Sequence, residues 1–473
     1  MEILTAFLSI LLTLGFILIF SCSTKALKQQ TKPPSYPLIG SILSFNKIAT
    51  VFSSGTPISS HILKTNFCNF PKGKPFTDLL GDLLGGGIFN SDGELWSSQR
   101  KLASHEFTMR SLREFTFEIL REEVETRLIP VLSSAADYCG GRTVDFQEIL
   151  KRFAFDVVCK VSLCWDPDCL DLTRPVPDLV EAFDVAAAIS ARRATEPVNA
   201  VWKLKRFFNV GSERRLREAI RTVHVSVSKI IRAKKKCLDI GGDVSDKQDL
   251  LSRFLAAGHD EEAVRDSVIS FIMAGRDTTS AAMTWLFWLL SENDDVEKKI
   301  LEEVRNKGSL GLGFEDLREM SYTKACLCEA MRLYPPVAWD SKHAANDDVL
   351  PNGTHVKKGD KVTYFPYGMG RMEKVWGQDW DQFKPTRWFD EEPNYGTKPV
   401  LKSVRSFKFP VFQAGPRVCI GKEMAFMQMK YVVGLVLSRF EIIPLCKNPP
   451  VFVPLLTAHM AGGLKVKIKR RKH

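Results

Sequence analysis

The chain opens on an apolar run. From Ile3 to Cys22 the only polar interruptions are Ser and Thr, and about twenty such residues span a bilayer as a helix. Glu2 precedes the run, and Lys25, Lys28 and Lys32 follow it. That charge bias places the rest of the chain on the cytosolic side. The run is long for a cleaved leader and has no basic segment before it, so residues 1–23 are expected to be a membrane anchor. Residues 24–47 form a basic, proline-rich hinge in which Pro33-Pro34-Ser35-Tyr36-Pro37-Leu38-Ile39-Gly40 is stiff and extended. Residues 48–473 follow without an internal linker and read as one large domain.

Helical periodicity dominates that domain. Residues Glu114 to Cys237 are largely helix-compatible, with amphipathic runs such as Leu150 to Val161. Glu261 to Ser291 is the longest such stretch. It has no proline and is apolar on nearly all sides from Ala281 to Leu290, as expected of a helix crossing a core. Lys422 to Phe440 is apolar on most faces. Short strands are predicted after Pro335-Pro336, with turn signals at Asn352-Gly353 and Lys358-Gly359, and a hairpin over Leu455 to Gly463. Phe76 to Phe89, where Leu79, Leu80, Leu83 and Leu84 precede Gly85-Gly86-Gly87, reads as a mobile loop with apolar contacts. Trp202 to Phe208 mixes aromatics with cations, as a membrane surface or a solvated helix end would. The expected fold class is mainly α with small β-sheets (α+β).

The formal net charge is +11, with much of the excess in Lys465, Lys467, Lys469, Arg470, Arg471 and Lys472. Such a tail is a solvated face, or a contact for anionic lipid or an acidic partner. No nucleic-acid motif accompanies the charge, so no nucleic-acid partner is expected. The eleven cysteines show neither a disulfide framework nor paired zinc ligands. Ten of them read as reduced and structural.

The eleventh is different. Cys419 ends a tight loop, Phe412-Gln413-Ala414-Gly415-Pro416-Arg417-Val418-Cys419-Ile420-Gly421, at the start of a helical run. Helix-terminal amides and the macrodipole favour a thiolate there. Gly415 and Gly421 can take φ > 0 and let a flat ligand approach closely. Elsewhere, Ala274-Gly275-Arg276-Asp277-Thr278-Thr279 interrupts the long apolar helix with an acid and hydroxyls. Thr278 can bond the carbonyl one turn back, and a carboxylate beside a hydroxyl can relay protons from water. Trp96 and Arg100 share a helix face at i, i+4, and Glu329 and Arg332 do so at i, i+3.

The pattern Phe-x-x-Gly-x-Arg-x-Cys-x-Gly resembles the haem-ligand loop of the cytochrome P450 monooxygenases. The resemblance implies the cytochrome P450 fold, with haem b held by Cys419 as thiolate, shielded by Phe412, and Gly415 and Gly421 shaping the loop. It also implies propionate contacts from Trp96, Arg100, Arg417 and Lys342. Ala274 and Gly275 would border the pocket over the iron, and Asp277 and Thr278 would form the proton relay for O2. Glu329, Arg332 and Arg387, the last in Phe383-Lys384-Pro385-Thr386-Arg387-Trp388, would form a buried structural triad. Substrate contacts are expected from Leu83, Phe89, Phe271, Val337, Ala338, Thr457 and Ala458. The wording Phe-Pro-Lys-Gly-Lys-Pro-Phe at 70–76, Arg-Phe-Ala-Phe-Asp at 152–156 and Trp-Asp-Ser-Lys-His-Ala at 339–344 is similar to the plant fatty-acid ω-hydroxylase clan, and within it to jasmonoyl-isoleucine 12-hydroxylases. This implies a monomeric single-pass enzyme of the endoplasmic reticulum membrane, with its catalytic domain in the cytosol and electrons from NADPH through cytochrome P450 reductase. The expected substrate is jasmonoyl-L-isoleucine. Free long-chain fatty acids are the alternative substrate class. One departure stands out. Between Gly40 and Ser59 the family has a helix and a strand pair, which need about thirty residues or more. Part of the N-terminal sheet is therefore expected to be missing, and an inactive haem-binding chain is the alternative of another class.

Overall fold

The computed structural model describes residues 56–471 apart from 139–142, 197–198, 240–248, 308–311, 391–399 and 447. The expected anchor, the hinge, Lys472 and most of the interval after Gly40 lie outside the described residues. Among the described residues no helix is long and apolar enough to cross a membrane.

The first long helix, α1, spans Lys74–Leu84 and corrects the expected loop. Pro75 sits in its first turn, and Leu80, Leu83 and Leu84 form its buried face. Leucines at this spacing lie one turn apart and build an apolar stripe. The loop begins only at Gly85, whose φ of 50° ends the helix. It is then fastened to the core, because Gly86 N donates to Asp266 Oδ2 at 2.9 Å.

Helix α2 spans Gly93–Thr108 and carries Trp96, Arg100 and Phe107. After strand β1 (Val144–Asp145), helix α3 (Phe146–Leu163) starts where Asp145 accepts from Glu148 N at the N-cap. Its faces are buried almost throughout, so the run expected to be amphipathic is a core helix. Helices α4 (Asp178–Thr195) and α5 (Gly211–Asp239) cover one side. Helix α6 spans Glu261–Ser291, as its periodicity predicts, and Asp260 Oδ1 caps it by accepting from Ala263 N at 2.8 Å. It packs lengthwise against α3 and then against α7 (Ser321–Leu333).

The strands are short. Strand β2 (Asp340–His343) pairs antiparallel with β5 (Lys361–Tyr364), placing Asp340 opposite Tyr364. Between them, β3 (Asp348–Val349) and β4 (His355–Val356) form a second pair, with Gly353 at φ 81° in the turn. Among the described residues the β2–β5 sheet has two strands. The outer edge of β2 is met by the chain just before α1, through His343 N to Pro71 O at 3.0 Å. A small separate core of Ile58, Ile62, Leu63, Phe70, Val362, Tyr364 and Ala414 seats this sheet against the Cys419 loop.

Helix α8 (Lys422–Arg439) leads into β6 (Phe440–Pro444), which joins β1 through β9 (Lys465–Arg470) in a three-stranded sheet. Along β9, Lys465, Lys467 and Lys469 point outward while Val466 and Ile468 are buried, so this part of the basic tail is an exposed face. The expected Leu455–Gly463 hairpin is shifted. Its strands are β7 (Phe452–Val453) and β8 (His459–Met460), and Leu455 to Ala458 lie in the connecting loop.

Candidate functional site

The Cys419 loop is built by close backbone approach. Gly415 has φ 66°, and a Cβ there would overlap the Leu63 carbonyl oxygen. Cys419 N donates to Phe412 O at 2.8 Å, which closes the loop on itself. Phe412 packs in a tilted arrangement against Phe426, one turn into α8, with ring centroids 5.2 Å apart. Gly421 departs from expectation. Its φ is −83° at the N-cap of α8, and a Cβ would meet only the Phe107 ring at 3.7 Å. Neither a positive φ nor a close approach of protein atoms requires glycine there.

Two influences oppose each other at the thiol. Burial pushes Cys419 up, while the Gly421 N–H and the Arg100 and Lys422 charges favour the thiolate. Yet the cysteine retains accessible surface. A side chain that is desolvated by dense surroundings and still accessible lines the wall of a recess.

Helix α6 offers a second accessible strip. It is buried over most of its length, but Met273, Ala274, Gly275, Asp277 and Thr278 are partly open. Thr278 Oγ1 donates to Ala274 O at 2.6 Å, one turn back. Asp277 Oδ1 is buried without a hydrogen-bond partner and lies 3.6 Å from Arg276 Nε. Gly275 also serves packing, because a Cβ on it would lie 2.8 Å from Val158 Cγ2 of α3.

Cations gather near the Cys419 loop. Arg417 donates to Asp92 Oδ1 at 2.7 Å and Ser91 O at 2.9 Å. Its guanidinium sits over the Trp96 ring, 4.4 Å from the centroid, so Trp96 pairs with Arg417 as well as sharing a helix with Arg100. Arg100 is half-buried, close enough to Cys419 to feel its charge, and has no hydrogen bond or ion pair among the described residues. Lys342 is enclosed. Its Nζ is 3.4 Å from Asp340 Oδ2 and makes no hydrogen bond. Burial, together with Lys72 and Arg417, pushes it down to about 7, against the pull of Asp340. Asp340 instead holds Lys72 Nζ at 2.6 Å.

Sequence reasoning missed Asp92, Asp340, Lys72 and Tyr364. The available signal was Asp340 and Lys342 two residues apart in a strand, which places both on one side of the sheet.

Glu329, Arg332 and Arg387 come together. Glu329 and Arg332 are fully buried and bonded twice, at 2.8 and 2.9 Å. Arg387 Nε reaches Glu329 Oε1 at 3.2 Å, and Trp388 Nε1 donates to Oε2 at 2.9 Å.

The expected substrate contacts divide. Ala458 N donates to Pro336 O at 2.7 Å, joining the β7–β8 loop, with Thr457, to the segment carrying Val337 and Ala338. Val337 and Thr457 are partly open, whereas Ala338 and Ala458 are buried. Phe89 is exposed. Leu83 is fully enclosed in the core, with its carbonyl accepting from His224 Nε2 at 3.1 Å, so it packs and does not line. Phe271 likewise sits between Phe107 and Phe254, with ring centroids 5.5 and 5.7 Å away.

Comparison with known proteins identifies the family of the chain. The cytochrome P450 family model matches residues 41–463. The chain is similar to cytochrome P450 94B1 of Arabidopsis thaliana, at 80% identity over all of this chain and 99% of the relative. It is 71% identical to cytochrome P450 94B3 of the same plant, over 98% of this chain and 97% of the relative. It is 45% identical to cytochrome P450 94A1 of Vicia sativa, over 93% and 91%. The first alignment spans 505 positions against 473 residues here. At least 32 positions (505 − 473) therefore face a gap in this chain. The chain belongs to the cytochrome P450 family, in its 94 clade, and is a monooxygenase that uses haem b, O2 and NAD(P)H-derived electrons delivered by a reductase.

Proposed function

We propose that this monooxygenase hydroxylates the terminal (ω) carbon of a carboxylate-bearing oxylipin, jasmonoyl-L-isoleucine, to give its 12-hydroxy form. The observation that carries the reading is the strip of α6 formed by Met273, Ala274, Gly275, Asp277 and Thr278, partly open within a mostly buried helix. An apolar chain end fits against Met273 and Ala274 there, with the Thr278 hydroxyl beside it. The sequence wording at 70–76, 152–156 and 339–344 supports the substrate class.

Cys419 would hold the haem iron. The residues present fit the group. Arg100 and Lys342 are cations without hydrogen-bond partners, and Arg417 with Trp96 stands beside them. Lys72 and Lys342 stand at Asp340, Arg417 stands at Asp92, and Arg100 lies near Arg417 without a carboxylate of its own among the described residues. The excess positive charge suits two propionates. Bound there, haem supplies the activation of O2, one atom of which enters the substrate.

The remaining work belongs to side chains. Thr278 holds its hydroxyl proton on Ala274 O and can turn it toward the recess. Asp277, with one oxygen unbonded, can reload it from water. The expected anchor would place this domain on the cytosolic face of the endoplasmic reticulum membrane, where the reductase also resides.

The test is turnover by the full chain with NADPH and its reductase, offering jasmonoyl-L-isoleucine and a long-chain fatty acid in competition. The reading expects the 12-hydroxy conjugate as the main product. Terminal hydroxylation of the fatty acid alone would replace it with the fatty-acid reading. Haem incorporation without turnover of either would mean that the missing segment disables substrate entry.

A further inference from the structure

Gln413 has φ 63° and ψ −177°. Backbone of this kind is essentially confined to glycine, and a residue with a side chain persists in it only when its surroundings impose it. Gln413 directly follows Phe412, the residue whose carbonyl accepts from Cys419 N. Its own N–H donates to Pro410 O at 3.0 Å. A strained residue thus sits at the root of the loop that presents the cysteine.

The side chain shows what imposes the conformation. Gln413 Nε2 donates to Asp340 Oδ2 at 3.1 Å, and Gln413 Oε1 meets the Tyr364 hydroxyl. That hydroxyl also lies 2.9 Å from Asp340 Oδ2. Asp340 and Tyr364 are directly opposite one another at the end of the β2–β5 ladder, and both are buried. The sheet therefore offers a rigid two-point grip on the Gln413 amide. The other Asp340 oxygen takes Lys72 Nζ at 2.6 Å and Ser341 N at 2.9 Å, so the carboxylate has no freedom to turn away.

We propose that Asp340 and Tyr364 are positioning residues that clamp Gln413 in a conformation only glycine would adopt unaided, and so fix the loop that presents Cys419. Through Lys72 and Lys342 the same carboxylate links that loop to the cation cluster. The proposal rests on the reading of Cys419 as the iron ligand. It goes beyond that reading in assigning loop geometry to a sheet whose gripping residues lie 49 and 73 residues upstream of Gln413.

The experiment uses the full chain with bound haem and reads the reduced carbon monoxide spectrum as the fraction of protein showing the strongly red-shifted, thiolate-type Soret band. Gln413→Ala keeps a Cβ in the strained region and removes the grip. Tyr364→Phe keeps the ring and removes one point of it. Each is expected to lower the thiolate-type fraction relative to the unshifted form by about fivefold or more, the lower end of the strain involved. Gln413→Gly, free to adopt the conformation, is expected to keep the parent fraction, and adding Tyr364→Phe to it is expected to change nothing. This non-additivity is what a purely structural role for the tyrosine would not produce. An unchanged spectrum in Gln413→Ala, or an equal loss from Tyr364→Phe with and without Gln413→Gly, overturns the clamp. A parent chain with haem but no red-shifted band overturns the Cys419 reading and the clamp with it.

Discussion

Arg276 reaches Asp184 and stops short of Asp277. Its Nη2 lies 2.8 Å from Asp184 Oδ1, whereas its Nε is 3.6 Å from Asp277 Oδ1. Lys151 Nζ holds the same Asp184 oxygen at 2.8 Å, and the guanidinium packs on the Phe155 ring, 5.0 Å from its centroid. Asp277 is thereby left near a positive charge that does not consume its hydrogen-bonding capacity. Under the proposed relay, this carboxylate would pass protons from water to Thr278.

If Asp277 and Thr278 carry the relay, their loss should separate cofactor consumption from product. Thr278→Ala is expected to consume NADPH with little hydroxylated product. Asp277→Asn is expected to slow turnover about a hundredfold, within the range for removal of a positioned acid–base group. Product per NADPH and the rate of NADPH oxidation, measured side by side, check both. Unchanged product per NADPH in Thr278→Ala contradicts the relay.

The Gly415 backbone predicts a failure of assembly. With φ 66° and the Leu63 carbonyl where a Cβ would stand, Gly415→Ala must push apart the loop and the segment beneath it. The expected result is loss of haem incorporation in a chain that retains its far-ultraviolet circular dichroism. Gly421→Ala, which meets only the Phe107 ring, is expected to incorporate haem normally.

These two glycines show where sequence reading stops. Both stand in one motif, and spacing alone cannot say which of them the backbone needs. Long-range packing decides it, through Leu63, which is distant in sequence. The helix Glu261–Ser291 was legible to its ends because its periodicity, length and Asp260 cap are local. The Glu329–Arg332 pair was legible for the same reason. The helix Lys74–Leu84 was obscured by the three glycines that follow it, although its leucines carried the helical spacing. Tyr364 and Asp92 were not legible, and Asp340 only through its spacing to Lys342, because their partners Gln413, Lys72 and Arg417 become neighbours only in the folded chain.

Glu329 should be the costliest polar residue of the core to remove. It is fully buried and accepts from Arg332, Arg387, Trp388 and Lys384 N. Glu329→Ala leaves the buried Arg332 guanidinium without its counter-charge, held only by the carbonyls of Gly370, Trp380 and Gln382. Breaking a buried pair from one side costs about 3–5 kcal/mol. Urea unfolding of parent and variant measures the difference, and a loss below about 1 kcal/mol would deny the triad its structural role.

Glu123 should make stability depend on pH. Burial outweighs Lys160 and Arg127 and raises its carboxyl to about 7. A carboxyl raised by folding binds more protons in the folded than in the unfolded chain. Its contribution is therefore largest at acidic pH and is lost as pH rises toward about 7. Glu123→Gln is expected to flatten that part of the profile, read as the denaturation midpoint at pH ~5 and ~8.

The central claim is that one cysteine, Cys419, holds haem iron as a thiolate in this shortened chain. The reduced carbon monoxide spectrum of the parent and of Cys419→Ser tests it most directly. The account predicts a strongly red-shifted Soret band in the parent and none in Cys419→Ser, with helical content unchanged. A parent chain that binds haem without the shifted band, or a shifted band that survives in Cys419→Ser, would contradict it.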